Sequence, residues 1–136
     1  MPSETNTTAG LFFEAGRIIR RGIDRDKAPL SVTQFEAVRF IDERQTPSMR
    51  DLALHLHITA PSTTSLTQEL VRAGYVERAS DPQDRRQIRL AVTGKGARAL
   101  ESTVMRRKAV LKRILLRLSR RDHQDLRRIF LKIIKE

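Results

Sequence analysis

Cysteine is absent from the 136 residues, which excludes disulfides, thiolate metal sites, thiol nucleophiles and thiol-based redox sensing. Tryptophan is absent too, and aromatic residues make up only 4%, so a single-strand binder built on base stacking is disfavoured. No apolar run approaches the roughly 20 residues that span a bilayer, and the polar opening from Ser3 to Thr8 lacks the basic-then-apolar order of a signal peptide. A soluble, cytoplasmic protein with no membrane partner is expected. There is no phosphate-cradling glycine loop, and the acidic pairs Asp42-Glu43 and Asp24/Asp26 fall at expected helix ends, where they suit solvated surface. His55 and His57 are two apart, about 200° around a helix, and His123 is distant in sequence, so neither a metal nor another cofactor is expected. No enzyme activity is expected.

What the chain has in excess is positive charge. With 27 Lys and Arg against 16 Asp and Glu, the net charge is +11, which points to a polyanion, nucleic acid first. Residues 97–136 hold 13 of the cations and only 4 of the acids. That run is either the solvated face of two helices or a surface for an anionic partner. At 39% apolar residues, the length suits one structural domain.

Residues 1–10, rich in Ser, Thr, Asn and Gly, are expected to be disordered. Leu11, Phe12, Ala15, Ile18, Ile19 and Ile23 recur at helical spacing, giving a first helix over about 11–25 within an N-terminal segment 11–29. Thr33 and Glu36 have capping-box spacing ahead of Phe35, Val38 and Ile41. Ser48 and Asp51 repeat that spacing before Met49, Leu52, Ala53 and Leu56. Ile58-Thr59 makes a tight turn, Pro61 suits the first turn of the next helix, and Gly74 stops it. Two short helices joined this way form a helix-turn-helix candidate.

The period then changes. Tyr75 to Arg78 suits one strand, and Ile88, Leu90 and Val92 alternate with Arg89, Ala91 and Thr93 in a second. The polar stretch Ser80 to Gln87 is left as a long charged tip, so the pair reads as a β-hairpin wing and residues 30–96 as a winged helix-turn-helix. Beyond it, Ala97, Leu100, Val104, Leu111, Leu115 and Leu118 describe a helix of about 20 residues. Ser119 and Asp122 cap a last helix striped by Leu126, Ile129, Phe130, Ile133 and Ile134. The fold class is mainly α with a small β-hairpin wing. Leu11, Phe12, Ile18 and Ile19 at one end, with Leu126, Ile129, Phe130 and Ile133 at the other, are apolar enough to need a partner, within the chain or across a homodimer.

In the second motif helix, residues 60–73, an inward Thr63, Leu66 and Leu70 turn Thr64, Ser65, Gln68 and Arg72 outward, with Ser62 to the side. Ser and Thr either cap the helix or bond phosphates and bases, and Gln can bind adenine through two hydrogen bonds. Ser48 and Thr59, at the helix starts, are candidates for phosphate contact. Arg85 and Arg86 at the hairpin tip either reach a minor groove or form an ordinary charged turn. Asp84, two residues before Arg86, is expected to orient its guanidinium.

Asp81-Pro82-Gln83-Asp84-Arg85-Arg86, followed by Ile88-Arg89-Leu90-Ala91-Val92-Thr93 and Gly94-Lys95-Gly96, resembles the wing signature of the MarR family, the multiple antibiotic resistance regulators. Leu52-Ala53, Ile58 to Ser62, Leu66, Leu70 and Gly74 to Arg78 agree in spacing. The resemblance implies a homodimer reading an inverted repeat in double-stranded DNA, usually a repressor released by a small anionic or aromatic effector. It matches the family's wing residues to Asp84 and Arg86 and its reading-helix positions to Ser62, Thr64, Ser65 and Gln68. Residues 97–136, like the first helix, then serve dimerisation. For an effector, Arg17, Arg20 or Arg21 with a residue from 106–113 are the expected contacts. The competing expectations are a sequence-tolerant architectural DNA-binding protein and a protein-interaction module on the same scaffold.

Overall fold

The computed structural model describes residues 3–135. Its elements are α1 (Glu4–Arg25), α2 (Val32–Arg44), α3 (Met49–Leu56), α4 (Ala60–Arg72), β1 (Val76–Ser80), β2 (Ile88–Val92), α5 (Gly94–Leu115) and α6 (Arg120–Ile134). They fall into two compact units, one of residues 28–105 and one of the residues up to 27 together with those from 106 onward, so α5 contributes to both.

The unit of residues 28–105 has a continuous core of Leu30, Phe35, Val38, Ile41, Leu52, Leu66, Leu70, Val76 and Leu90. Its first helix starts two residues before the expected frame. Ser31, not Thr33, is the N-cap, and Gln34, not Glu36, completes the capping box. That frame puts Leu30 just outside the helix and Phe35 in its first turn, both buried, the arrangement in which an apolar pair fixes the entry of the chain. Ser48 and Asp51 cap α3 as expected: the Ser48 hydroxyl accepts from the Asp51 amide at 3.1 Å, and the Asp51 carboxylate accepts from the Ser48 amide at 3.0 Å. His57 ends α3 in the left-handed conformation, and Thr59 caps α4, so the turn between them is three residues long.

Gly74, at φ 80°, turns the chain from α4 into β1. The hairpin is antiparallel with Val76 opposite Val92 and Ser80 opposite Ile88. The strand runs on through Ser80, which leaves 81–87 as the tip. Pro47 and Ser48 lie along the other edge of β2, where the Leu90 amide donates to the Pro47 carbonyl at 2.9 Å. The wing is thereby tied to the start of α3. Helix α5 begins at Gly94 rather than 97, because the Thr93 hydroxyl accepts from the Gly96 amide. A Cβ at Gly96 would overlap the Tyr75 carbonyl, so only glycine permits this close approach.

In the other unit, the expected disorder of residues 1–10 is corrected for 4–10, which are helical; residues 1 and 2 lie outside the described part. The Ser3 hydroxyl caps α1 by accepting from the Asn6 amide, Glu4 complements the positive end of the helix, and the Thr8 hydroxyl donates to the Glu4 carbonyl at 2.9 Å. A polar composition reads as loop until its cap is placed. Ser119 and Asp122 cap α6 as expected, and Leu118 falls in the turn before it rather than in α5. Neither α1 nor α6 has a buried residue.

Candidate nucleic-acid interface

Helix α4 divides cleanly between two faces. Thr63, Leu66, Thr67 and Leu70 are buried, whereas Ser62, Thr64, Ser65, Gln68 and Arg72 are exposed. The inward set expected from the sequence lacked Thr67. Its hydroxyl faces the Met49 sulfur at 3.5 Å, a contact 18 residues apart in sequence. The Thr64 hydroxyl donates to the Ala60 carbonyl, and the Thr59 hydroxyl donates to the Ser62 hydroxyl. The side chains of Ser65, Gln68 and Arg72 have no hydrogen-bonding partner among the described residues and are free to donate.

On the wing, Arg85 and Arg86 are exposed, and neither guanidinium has a carboxylate partner among the described residues. The expected role of Asp84 is corrected: its carboxylate accepts from the Arg86 backbone amide at 3.0 Å, forming the tip turn, and does not hold the Arg86 guanidinium. A residue two along the chain offers its amide to a short acidic side chain more readily than the end of a long one.

The arginine held by a carboxylate is Arg89. Its Nε and a terminal nitrogen both lie 2.9 Å from Asp81 Oδ2, and Asp51 Oδ2 is 3.9 Å away. The other oxygen of Asp81 accepts from the Gln83 amide at 2.8 Å. Asp81 is buried. Its carboxyl is held below the usual range by the Gln83 amide and then by Arg89. The Ser48 hydrogen bonds lower Asp51 similarly, with Arg89 assisting. Arg89 thus joins the base of the wing to the first turn of α3. Sequence reading treated it as the polar half of a strand alternation; the available signal was an arginine on a half-buried strand eight residues from an Asp-Pro turn.

Arg86 and Arg89 line one groove of about 420 Å³ together with Ser48, Arg50 and Asp51 at the N-terminus of α3. Ser48 and Arg86, expected to serve separate elements, therefore come together, and Arg50 joins them. Arg50 and Arg86, which have no carboxylate partner among the described residues, suit a phosphate beside the helix N-terminus, while Arg89 is held by Asp81. His55 stacks on Phe40 at 4.2 Å and lies 3.8 Å from Glu36, a packing role rather than a ligand's.

Elsewhere, Leu11, Phe12, Ile18, Ile129, Phe130 and Ile133 are exposed, and Ile19 and Leu126 are half-buried. Phe13, which was not singled out from the sequence, is the most exposed of this apolar set at 82%. Of the arginines expected at an effector, Arg17 pairs with Glu14 at 2.7 Å and Arg20 with Asp24 at 3.9 Å, and Arg21 has no acidic partner among the described residues. No helix among the described residues is long and apolar enough to cross a membrane.

Residues 28–87 match the model of the MarR family. The uncharacterized HTH-type transcriptional regulator Mb0904 of Mycobacterium bovis is 28% identical over 100 residues, covering 74% of this chain and 70% of its own. Among solved structures, the YusO protein of Bacillus subtilis superposes with a TM-score of 0.80 at 17% identity, covering 98% of this chain and 99% of its own. A mutant of MepR from S. aureus, bound to an oligodeoxyribonucleotide, gives 0.72 at 17% identity over 94% of this chain and 96% of its own. The matched segment begins before α2 and ends at the tip of the wing, so the stretch similar to the MarR family contains the exposed face of α4, Arg85, Arg86 and Asp81.

Proposed function

We propose that the protein acts as a homodimer that binds an inverted repeat in double-stranded DNA sequence-specifically, as a repressor released by a small anionic or aromatic effector. The observation that carries this reading is the division of α4: Ser65, Gln68 and Arg72 are exposed with unengaged polar ends, on a helix whose opposite face is locked into the core. Under this reading, α4 enters the major groove and Ser62, Thr64, Ser65, Gln68 and Arg72 meet bases and adjoining phosphates. Ser48, Thr59 and the α3 N-terminus sit at phosphate, Arg85 and Arg86 reach the flanking minor groove, and Asp84 shapes the tip that presents them. The DNA-bound relative supports this use of the fold.

The dimer is supported by the apolar faces of α1 and α6, whose exposed residues include Phe12, Phe13, Phe130 and Ile133. Surfaces this apolar are covered in a working protein. Two-fold symmetry then requires half-sites about one helical turn, roughly 10 bp, apart. Selection of bound duplexes from a random pool tests the reading: the expected result is an enriched motif with two-fold symmetry, and enrichment of no motif would contradict it.

A further inference from the structure

The unit containing α1 and the end of α5 holds a groove of about 560 Å³ lined by Ile18, Arg21, Gly22, Arg25, Val110, Arg113, Ile114 and Arg117, with Asp26 at one end. On α1 the lining falls at positions 18, 21, 22 and 25, and on the α5 side at 110, 113, 114 and 117, the same i, i+3, i+4, i+7 spacing. Asp26 meets Arg106 at 3.4 Å while Gly22 lies against Val110. The two stretches therefore run antiparallel and face each other. Both present the same order, with an apolar or small residue at i and i+4 and arginine at i+3 and i+7, so Ile18, Val110 and Ile114 supply an apolar floor and four guanidiniums a rim. Gly22 sets the separation, since a Cβ there would come within 2.8 Å of the Val110 side chain.

The charges are what make this groove distinctive. Arg17 and Arg20 on the same helix have carboxylate partners, and the groove's one acid, Asp26, is taken by Arg106. Arg21, Arg25, Arg113 and Arg117 have none among the described residues. A single carboxylate leaves most of that charge uncompensated, whereas a diphosphate carries enough charge and matches the guanidinium fork with two parallel hydrogen bonds.

We propose that this groove binds a small molecule bearing a di- or triphosphate beside an apolar group, the phosphates on the arginine rim and the apolar group on Ile18, Val110 and Ile114. The proposal rests on the regulator reading above, narrows its effector to this class, and takes Ile18 out of the expected dimer face, leaving that face to Leu11, Phe12, Phe13 and the α6 stripe. The arginines of the rim repel one another when the groove is empty, so ligand binding stabilises this unit.

The test is calorimetric titration of the full chain at fixed ionic strength with adenosine diphosphate, pyrophosphate and salicylate. The expected order of affinity is adenosine diphosphate, then pyrophosphate, then salicylate. Arg21→Gln with Arg113→Gln should weaken adenosine diphosphate by at least about tenfold, and the charge-matched control Arg127→Gln with Arg128→Gln by less than about twofold. Both arginines of the test variant lie at the rim of an open groove, so it should melt no lower than the wild type. No heat with either phosphate probe, equal loss in the two double variants, or salicylate binding as tightly as adenosine diphosphate would overturn the proposal. Duplex binding by the ligand-free wild type separates the two readings. A chain that binds duplex but no phosphate overturns the groove alone, and one that binds phosphate in the groove but no duplex supports the groove and removes the regulator.

Discussion

Arg89 is the residue on which the presentation of the wing depends, because its guanidinium meets Asp81 at the hairpin base and approaches Asp51 on α3. Arg89→Ala is expected to weaken duplex binding about tenfold, with Arg89→Lys recovering only part, since an ammonium cannot reproduce the fork. Fluorescence anisotropy on one duplex reads both. The carboxyls of Asp51 and Asp81 are held below the usual range, so their contribution to stability is present above the ordinary carboxylate range and is lost as pH falls through the folded values. Melting temperature should be level from neutrality down to about pH 5 and then fall, and Asp81→Asn should flatten the fall. Arg86→Ala should weaken every duplex and reduce the salt slope by about one unit, whereas Gln68→Ala should change discrimination at one base position. Equal loss at every position for Gln68→Ala would make it a phosphate contact.

At the scale of elements, the N-terminal frame of α2 makes a sharp test. Ser31→Ala should cost about 1 kcal/mol in chemical denaturation, and Thr33→Ala only a few tenths, because Ser31 is the residue that caps. Ser31 and Gln34 have the same spacing as the expected Thr33 and Glu36, and the burial of Leu30 and Phe35 goes with the frame that the chain adopts. That is the general limit of what the sequence made legible. Periodicity located the helices and the hairpin, since each rests on a local apolar pattern. The inward and outward faces of α4 followed from Leu66 and Leu70. What periodicity could not supply was any contact across the chain: Thr67 against Met49, Arg89 against Asp81, or Arg86 beside the α3 N-terminus. The start of α1 was missed for the opposite reason, a local cap hidden in a loop-like composition. The apolar faces of α1 and α6 lead to a further expectation. Ile129→Asp with Phe130→Asp should yield a monomer by light scattering at micromolar concentration while residues 28–105 keep their helical signal; a dimer that survives the double change would place the interface elsewhere.

At the scale of the whole molecule, the +11 charge gives every duplex a long-range attraction that salt screens over about 8 Å at physiological strength. That attraction brings the protein to DNA without choosing a sequence, so affinity alone cannot separate a regulator from an architectural binder. The ratio of affinities can. The direct test is a titration at physiological salt of the selected inverted-repeat duplex against a scrambled duplex of the same composition. The expected ratio is about 10³ or more. A ratio near one would leave only the sequence-tolerant architectural protein, and binding to neither duplex would leave a protein-interaction module; either result would contradict sequence reading by α4.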